Sequence, residues 1–458
     1  MSKQRVLVYG LAVAGEAVAR ALVARGSKVI AADDKPTARA IEVAGELGID
    51  LYEAPSDSKI DRLVERVELV VPAPGVPETH HLVAACAREQ VPLRSEIDLA
   101  YEWEQARPGG ARPMLAITGT DGKTSTTMLA TAMVEASGRR AAAVGNTDFP
   151  LVGALGDVQR DNGGGKGPVD VFVVECTSFR LAYAERFAPV AATWLNLAED
   201  HLDWHRSLTS YADAKARVWE HQRPGDAAIA YARDETVMRR LATAPARHVT
   251  FATTDADYRT EAGWLVGPTG RLAEIASLRR QLPHDVTNAL AAAATVLEAG
   301  VATVEGVATA LAAFAGIRHR ITDVGTLDGV TYYDDSKATT PHAALTAMRA
   351  FPSVVLIAGG RNKGLDLGAL AAGADHVRAV VAIGDAAAEI TAAFDGLRPT
   401  TTAATMQDAV EAARTLAQAG DVVLLSPGCA SFDWYANYGA RGDDFARIVG
   451  ELSGGGTR

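Results

Sequence analysis

The 458-residue sequence has only three cysteines, Cys86, Cys176 and Cys429, which lie far apart and form no CxxC pair. This scarcity argues against a disulfide framework and against a zinc site built from thiolates. No run of about eighteen apolar residues is present, so we expect no membrane insertion. The formal net charge of −11 argues against a general nucleic-acid surface. A local cationic pocket for a small anion remains compatible with it.

The beginning of the chain and its length set further expectations. The first ten residues, MSKQRVLVYG, enter a strand pattern almost at once and leave no room for the apolar region of a signal peptide. We therefore expect a cytoplasmic protein. At roughly 150 residues per domain, the length suggests about three domains. An apolar fraction of 48% is ordinary for globular proteins.

Residues 114–127, MLAITGTDGKTSTT, have the pattern of a phosphate-binding loop. A short apolar strand leads into a loop with Gly119 and Gly122, and Lys123 and Thr124 open the next helix. Backbone N–H groups and the lysine would hold phosphates, and the threonine hydroxyl would ligate Mg²⁺. The usual first glycine is replaced by Ile117, so this is a variant of the pattern. The alternative is a glycine-rich turn with an incidental lysine.

The N-terminal region reads as a βαβ unit, with strands at 5–9 and 28–32 and a helix at 16–24. Its turn has the spacing of a dinucleotide fingerprint, but the middle glycine is Ala12. Asp33 stands where an acidic residue would meet a ribose. A dinucleotide site, a modified nucleotide site and a purely structural turn all remain open.

Strands and helices alternate along the rest of the chain, which predicts an α/β fold with parallel sheets. Three domains are expected: a Rossmann-like domain at 1–111, a central P-loop domain at 112–316 and a Rossmann-like α/β domain at 317–458. Residues 107–113 read as a linker, and residues 161–168 as a flexible surface loop.

Several polar residues follow predicted strands, where the sites of α/β proteins lie. Glu175 would suit Mg²⁺, whereas His201 could be a ligand, a neighbour of one or a surface histidine. Lys215 on its own reads as an exposed helix lysine. The cations at 318–320 could assist phosphate transfer or mark a hinge. Three residues are weak candidates for holding an anionic substrate: Lys337, Lys363 and Ser431.

Five motifs in this order resemble those of the Mur ligases: GTDGKT at 119–124, EDHLD at 199–203, HR at 319–320, DSKAT at 335–339 and SPGCAS at 426–431. The resemblance covers nearly the whole chain. It implies three domains that bind a UDP moiety, ATP and an amino acid in that order and close over the site. The order and spacing fit those Mur ligases that add D-glutamate to UDP-N-acetylmuramoyl-L-alanine in peptidoglycan precursor synthesis.

The resemblance also implies roles for single residues. ATP would contact Gly119, Thr120, Asp121, Gly122, Lys123, Thr124, Ser125, Asn288, Arg320 and Asp335. Two Mg²⁺ ions would be held by Thr124, Glu175, His201 and Lys215, the last as a carbamate. The catalytic set would be Lys123, His201, Lys215 and Arg320. The UDP substrate would contact Ala14, Asp33, Asp34, Lys35, Pro74, Gly75, Asn146 and Arg180. D-Glutamate would contact Lys337, Thr339, Lys363, Ser431 and Tyr438.

The sequence departs from the family pattern at three places. Arg180 stands where glutamine is common, residues 147–149 replace the commoner Ile-Gly sequence, and Asp285 replaces an asparagine of HNxxN. None of these removes a phosphate or metal group. Rival readings are another Mur ligase, a ligase that extends folate with glutamate, an NAD-dependent oxidoreductase and a non-catalytic nucleotide-binding regulator. We further expect a monomer that binds small molecules and no nucleic acid.

Overall fold

A computed structural model describes residues 4–147, 149–155, 168–202 and 204–454. Asp148, Asp203 and most of the loop predicted at 161–168 lie outside the described residues. The chain forms two compact units, residues 1–314 and 315–458, and each is described by itself. Among the described residues, no helix is both long and apolar enough to cross a membrane.

The first unit begins with a four-stranded parallel sheet in the order β3-β2-β1-β4. Its strands are β1 (Arg5–Tyr9), β2 (Lys28–Asp33), β3 (Asp50–Glu53) and β4 (Leu69–Pro72). Its helices are α1 (Val13–Ala24), α2 (Ala38–Leu47), α3 (Asp57–Val64), α4 (His81–Glu89) and α5 (Glu96–Gln105). The residues from Val6 to Tyr9 are all buried. Helices can cover both faces of a parallel sheet, so an uninterrupted apolar run suits an inner strand such as β1.

A six-stranded parallel sheet follows in the order β10-β9-β8-β5-β7-β6. Its strands are β5 (Met114–Thr118), β6 (Ala141–Gly145), β7 (Val171–Glu175), β8 (Ala191–Trp194), β9 (Ala227–Tyr231) and β10 (Arg247–Phe251). Its helices are α6 (Lys123–Ala136), α7 (Leu151–Ala154), α8 (Ser178–Leu181), α9 (Leu208–Glu220), α10 (Glu235–Leu241), α11 (Pro283–Glu298) and α12 (Val304–Ala313). The sequence pattern also predicts a strand at 191–197, and the observed strand β8 ends three residues earlier, because the chain leaves the sheet after Trp194.

The first unit also contains a three-stranded antiparallel sheet that the sequence analysis did not predict. Its strands are β11 (Arg259–Glu261), β12 (Trp264–Gly267) and β13 (Gly270–Glu274), followed by a 3₁₀ helix, Ile275–Ser277. Ala262 and Gly263, both with positive φ, form the two-residue turn between β11 and β12. Such a turn is typical of tight hairpins. The strands are too short to give a clear alternating pattern in the sequence.

The second unit has a mixed six-stranded sheet in the order β14-β15-β19-β16-β17-β18. Its strands are β14 (Thr322–Leu327), β15 (Val330–Asp334), β16 (Val354–Gly359), β17 (Val377–Ile383), β18 (Thr400–Thr402) and β19 (Val422–Leu425). Its helices are α13 (Pro341–Met348), the 3₁₀ helix Leu367–His376, α14 (Ala387–Phe394), α15 (Met406–Leu416) and α16 (Tyr438–Gly454). The predicted parallel α/β pattern is confirmed, with one antiparallel edge strand, β14, added by the turn Asp328-Gly329.

The two parallel sheets of the first unit share one hydrophobic core. The same buried cluster contains Val8 and Ile97 from the N-terminal part and Phe172 and Trp194 from the central part. Ring contacts strengthen it, since the rings of Trp194 and Trp219 lie 5.5 Å apart. The segment between the sheets is therefore fixed by packing at both ends.

A buried ion pair fixes that connecting segment directly. Arg112 lies in it and donates to both carboxylate oxygens of Glu104 at 2.8 Å, and its backbone N–H donates to the same carboxylate at 3.0 Å. A further bond at 3.0 Å reaches the carbonyl of Leu155. Burial by itself would raise the pKa of Glu104, but the hydrogen bonds from Arg112 outweigh burial and lower it. The predicted linker is thus clamped at its C-terminal end.

Replacing one partner of this pair should destabilise the first unit strongly. Arg112→Met leaves a buried carboxylate without its cation, which we expect to lower the free energy of unfolding by about 3–5 kcal/mol. The double variant Glu104→Met/Arg112→Met should regain most of the loss, since both charges are then gone. Denaturant unfolding of the three proteins checks this. A double variant as unstable as the single one would contradict it.

Candidate nucleotide and amino-acid sites

The phosphate-loop pattern lies at the carboxyl end of β5, a central strand of the parallel sheet. Asn196, just beyond β8, supports the loop: its side-chain oxygen accepts the N–H groups of Thr120 and Asp121, each at 2.9 Å. The hydroxyl of Thr120 donates to the carbonyl of Ala198 at 3.2 Å. Neighbouring parallel strands thus build the loop at the point where the strand order reverses, which is where ligands of open α/β sheets bind.

Two glycines of the loop are required by close packing. A Cβ at Gly119 would lie 2.9 Å from the Cβ of Leu195, and a Cβ at Gly122 would lie 2.8 Å from the side-chain oxygen of Asn288. Gly122 also has a φ of +79° at the start of α6, a conformation that favours glycine. The loop can therefore bring its backbone and helix N-terminus close to a phosphate.

Two lysines converge on the same carbonyl of this loop. The Nζ atoms of Lys123 and Lys215 donate to the carbonyl oxygen of Gly119 at 2.8 Å and 2.6 Å respectively. Lys215 lies in α9 and is fully buried, so the expectation of an exposed helix lysine from spacing alone is wrong. Burial, reinforced by the charge of Lys123, holds the pKa of Lys215 well below its usual value. Its amine is therefore nucleophilic at a lower pH than an ordinary lysine.

His201 lies beside the same group through aromatic contacts. Its ring contacts Phe179 at 4.7 Å and Tyr211 at 6.1 Å between centroids. Tyr211 in turn contacts the Nζ of Lys215 at 4.5 Å from its ring and the hydroxyl of Thr120 at 3.2 Å. His201 has a positive φ of 55°, which is uncommon outside glycine and places it in a constrained turn.

Glu175 ends β7 and is buried next to β5. One oxygen accepts the side-chain N–H of Asn146 at 3.0 Å, whereas the other is buried without a hydrogen-bond partner among the described residues. An orphaned buried carboxylate oxygen fits a cation ligand, since leaving it unpaired is costly. The described residues contain no group of three His, Cys, Asp or Glu side chains that could hold a metal. Any metal set here would need the Thr124 hydroxyl or other oxygens besides Glu175.

Arg180 connects Glu175 to the N-terminal part of the unit. Its Nη1 donates to the side-chain oxygen of Asn146 at 3.0 Å, and its Nε donates to Glu96 at 3.0 Å. The other oxygen of Glu96 accepts the N–H of Val152 at 3.1 Å. The arginine that departs from the family pattern is therefore paired with a buried carboxylate, a partner that the sequence analysis missed.

The structure brings three of the eight residues predicted for the UDP moiety together in one cleft. Ala14, Pro74 and Arg180 line the same pocket. Asp33 accepts the N–H groups of Leu11 and Lys35 at 2.7 Å and 2.9 Å, so it holds the N-terminal turn. Asp34 accepts the hydroxyl of Tyr9 at 2.6 Å and contacts the ring of His80 at 3.1 Å. Gly75 follows Pro74, whose carbonyl accepts the indole N–H of Trp204 at 2.9 Å.

A second pocket adjoins the phosphate loop and contains two predicted ATP residues, Ser125 and Asn288. Apolar side chains form much of its wall: Leu129, Leu278, Leu311 and Phe314. Asp285 lies in it as well, with one oxygen bound by Arg280 at 2.9 Å and the other buried without a hydrogen-bond partner in the described part of the chain. An apolar slot with a few polar groups suits a flat heteroaromatic base.

In the second unit, Arg320 and Asp335 lie close together. Asp335 accepts the hydroxyl of Ser426 at 2.7 Å and the N–H of Ile321 at 3.3 Å. Burial raises the pKa of Asp335 to about 7, although these hydrogen bonds and the charge of Arg320 oppose the rise. His319, the residue before Arg320, contacts a carboxylate oxygen of Asp334 through its Nδ1 at 2.6 Å.

The residues predicted for D-glutamate lie on loops at the carboxyl ends of β15, β16 and β19 and at the start of α16. Lys337 Nζ lies 5.3 Å from the ring centroid of Tyr438, and Lys363 Nζ lies 5.9 Å from that of Phe432. The loops of Thr339 and Ser431 are joined by a hydrogen bond at 2.9 Å from Gly428 N–H to the carbonyl of Ala338. Ser431 is buried, whereas Tyr438 is 38% exposed.

Sequence reasoning missed several residues of these groups. Asn196, Tyr211 and Glu96 belong to no motif, and each acts through a contact with a residue distant in sequence. Asn196 alone carried a signal, because a polar residue just past a strand is typical of α/β sites.

These features define a mononucleotide-binding α/β protein. Residues 117–296 match the Mur ligase middle domain, and residues 319–429 match the family model described as Mur ligase, glutamate ligase domain. The chain belongs to the Mur ligase family.

Curated relatives match over nearly the full length of this chain. It is 42% identical to the UDP-N-acetylmuramoylalanine--D-glutamate ligase of Frankia casuarinae over 97% of this chain and 93% of that protein. It is 38% identical to the protein of the same name from Thermobifida fusca, over 98% and 99% of the two chains. The expected family is thereby confirmed.

Solved structures share the fold at low sequence identity. The UDP-N-acetylmuramate-alanine ligase MurC of Thermotoga maritima matches with a TM-score of 0.57 at 19% identity, covering 99% of this chain and 100% of that one. A MurF ligase from Thermotoga maritima in complex with ADP matches with a TM-score of 0.56 at 12% identity, covering 98% and 96%. The predicted α/β class with parallel sheets is confirmed.

The raised pKa of Asp335 should appear in the pH dependence of stability. Its pKa of about 7 in the folded chain lies above that of an unfolded aspartate, so the folded state binds more protons between about pH 4 and 7. Its contribution to stability is therefore lost as the pH rises through this range. Asp335→Asn removes the titration, so the variant should gain stability relative to the wild type between pH 5 and 7. Denaturant unfolding at both pH values tests this, and a difference independent of pH would contradict it.

Proposed function

We propose that the chain is an ATP-dependent amide ligase that adds D-glutamate to UDP-N-acetylmuramoyl-L-alanine and releases ADP and phosphate. The observation that carries this proposal is the phosphate loop, in which Lys123 and the buried Lys215 meet on one carbonyl. Relatives named for this activity at 42% and 38% identity support the choice of substrates. The reaction belongs to peptidoglycan precursor synthesis in the cytoplasm, and we propose that the enzyme acts as a monomer.

The proposal assigns one substrate to each predicted domain. Residues 1–111 bind the UDP moiety, residues 112–316 bind ATP and residues 317–458 bind the amino acid. The cleft shared by Ala14, Pro74 and Arg180 supports the first assignment. The second is supported by the apolar pocket beside the phosphate loop, where Asn288 and Ser125 would meet the nucleotide.

The phosphate loop holds the ATP phosphates in this proposal. Backbone N–H groups at the start of α6 and the ammonium of Lys123 counter phosphate charge, and Asn196 keeps the loop in shape. Thr124, Glu175 and His201 would hold Mg²⁺, and the orphaned oxygen of Glu175 fits a hard cation. When bound, Mg²⁺ neutralises charge on the phosphates and orients the transferred group.

Lys215 is proposed to become a carbamate. A neutral amine adds to CO₂ and loses one proton, which leaves an anionic oxygen group on the former lysine. The lowered pKa of Lys215 favours this because it increases the neutral fraction of the amine. The change also places an anionic group near the ammonium of Lys123, whose charge disfavours the protonated form of Lys215. Oxygen ligands are those that magnesium prefers.

The chemistry proceeds through an acyl phosphate. A carboxylate is a poor electrophile until one oxygen is turned into a phosphate leaving group, so the γ-phosphoryl group of ATP is first transferred to the L-alanyl carboxylate. The amine of D-glutamate then attacks the acyl carbon, and the tetrahedral adduct expels phosphate to give the amide. Lys123 offsets charge during phosphoryl transfer, and Arg320 is the proposed second cation for this step.

Three rival functions are less well supported. A ligase that extends folate with glutamate has the same fold, as shown by the structural match to a folylpolyglutamate synthase/dihydrofolate synthase at a TM-score of 0.52. The two curated relatives described above carry the D-glutamate name instead. An oxidoreductase built on the first sheet is disfavoured because Ala12 replaces the middle glycine of the dinucleotide fingerprint, and because a separate phosphate loop follows β5. A non-catalytic regulator would not need the buried amine of Lys215.

Phosphate release from ATP should require both substrates together. We expect release only when UDP-N-acetylmuramoyl-L-alanine and D-glutamate are both present, because the acyl phosphate forms on the first and is consumed by the second. Inorganic phosphate is measured in a coupled assay, with L-glutamate replacing the D-isomer as a control. Release with L-glutamate and a folate, or a change in nicotinamide absorbance, would overturn the proposal.

The carbamate has its own test. Lys215→Ala should lose most activity, since it removes the anionic oxygen group, and short-chain carboxylates should restore part of it by entering the space left. Activity with increasing acetate is the measurement. As a matched control, Lys123→Ala removes the other lysine on the same carbonyl and should not be rescued by acetate, because its role is that of a cation. A fully active Lys215→Ala protein would show that no carbamate is used.

A further inference from the structure

Arg441 is a buried arginine that belongs to none of the motifs. It lies in the first turn of α16 and is 1% exposed. Its Nε donates to the hydroxyl of Ser336 at 2.9 Å, and its Nη2 donates to the carbonyl of the same residue at 2.8 Å. Its Nη2 and Nη1 reach the carbonyls of Cys429 and Ala430 at 3.1 Å and 3.3 Å.

These acceptors lie on two loops that end different strands. Ser336 follows β15 and immediately precedes Lys337, whereas Ala430 follows β19 and immediately precedes Ser431. One side chain therefore holds both loops by their backbones. Because the guanidinium is planar and its donors have a fixed geometry, it also sets the distance between the two loops.

The same contacts extend to the other residues proposed for D-glutamate. The hydroxyl of Ser336 donates to the carbonyl of Tyr438 at 2.8 Å. Ala430 and Arg361 exchange backbone hydrogen bonds at 2.8 Å and 3.1 Å, two residues before Lys363. A shift of the Arg441 guanidinium would thus be transmitted to every loop of the group.

Among the described residues, no carboxylate is hydrogen-bonded to Arg441, although Asp433 and Asp334 lie close enough for their charges to act on it. The four hydrogen bonds go to a hydroxyl and to carbonyls, all of them neutral acceptors. Burial lowers the pKa of Arg441 to about 10, partly opposed by Asp433, so the side chain stays protonated at neutral pH. A buried cation behind these loops favours an anionic ligand in front of them.

We propose that Arg441 is a positioning residue for the incoming amino acid: it fixes the loops that carry Lys337, Thr339 and Ser431, and its charge favours a dicarboxylate. The identity of the amino acid rests on the proposed function. A purely structural role would lower stability without changing the KM for one substrate selectively.

The test is a comparison of KM values for the three substrates in the full-length Arg441→Lys protein. Lysine keeps the charge but donates from a single atom, so it cannot bridge both loops. We expect the KM for D-glutamate to rise by about 10- to 100-fold, since a small displacement of binding groups costs this much. The KM values for ATP and UDP-N-acetylmuramoyl-L-alanine should change by less than about twofold.

Two further variants complete the experiment. Arg447→Lys changes an exposed arginine of the same helix, which pairs with Asp444 and Glu451, and should leave all three KM values unchanged. If Arg441→Lys fails to fold, Ser336→Ala is the variant that tests the proposal. It removes one hydrogen bond to Arg441 and one to Tyr438. We expect it to raise the KM for D-glutamate by about 3- to 10-fold.

The outcomes separate this inference from the proposed function. A wild-type protein that releases no phosphate with D-glutamate would overturn the function, and with it the substrate named here. An active wild type whose Arg441→Lys and Ser336→Ala variants keep the KM for D-glutamate would overturn the role of Arg441 alone. So would a rise in all three KM values by the same factor.

Discussion

The carbonyl of Gly119 is the point on which the first unit's site depends, because two lysines from different helices donate to it. Lys123 comes from the helix that follows the loop, and Lys215 from α9. Two ammonium groups on one oxygen repel each other, and only one of them is fully buried, so the proton is lost more readily from Lys215. The two lysines that share this carbonyl therefore differ in chemistry. Lys123 serves as a cation for phosphate, whereas Lys215 carries an amine that can be modified.

The surroundings of that carbonyl explain why the sheet order matters. The loop follows β5, its support Asn196 follows β8 on one side, and Glu175 ends β7 on the other. A parallel sheet brings all three to one edge because its strands share a direction. A chain of side-chain hydrogen bonds runs from Glu175 through Asn146 and Arg180 to Glu96. It joins the end of β7, beside the nucleotide loop, to the N-terminal part of the unit. The shared core keeps this chain of contacts rigid, so the two parts of the first unit act as one frame.

The sequence was most informative where local pattern and site coincide. The strand at 5–9 was predicted with its observed bounds, and the loop at 119–124 with its place between strand and helix. Burial of Lys215 could not be read from its spacing, since the carbonyl that its Nζ contacts belongs to Gly119, 96 residues away. Asn196 and Glu96 act through partners 76 and 84 residues away, and no periodicity reports such contacts. The hairpin turns Ala262-Gly263 and Asp328-Gly329 did carry a local signal. The strands beside the first turn are too short for alternation to stand out, and the register shift between Asp323 and Gly325 interrupts the alternation beside the second.

In the second unit, a different interaction brings the proposed substrate residues together. Its proposed substrate residues come from the ends of three strands and the start of α16, and no single loop contains them. Arg441 joins these pieces through backbone carbonyls, so the side chains that face the ligand are left to bind it. An acidic partner for Arg441 would satisfy its charge better but would oppose a dicarboxylate nearby. Neutral acceptors lessen that conflict, since Asp433 and Asp334 act on the charge of Arg441 without a hydrogen bond to it.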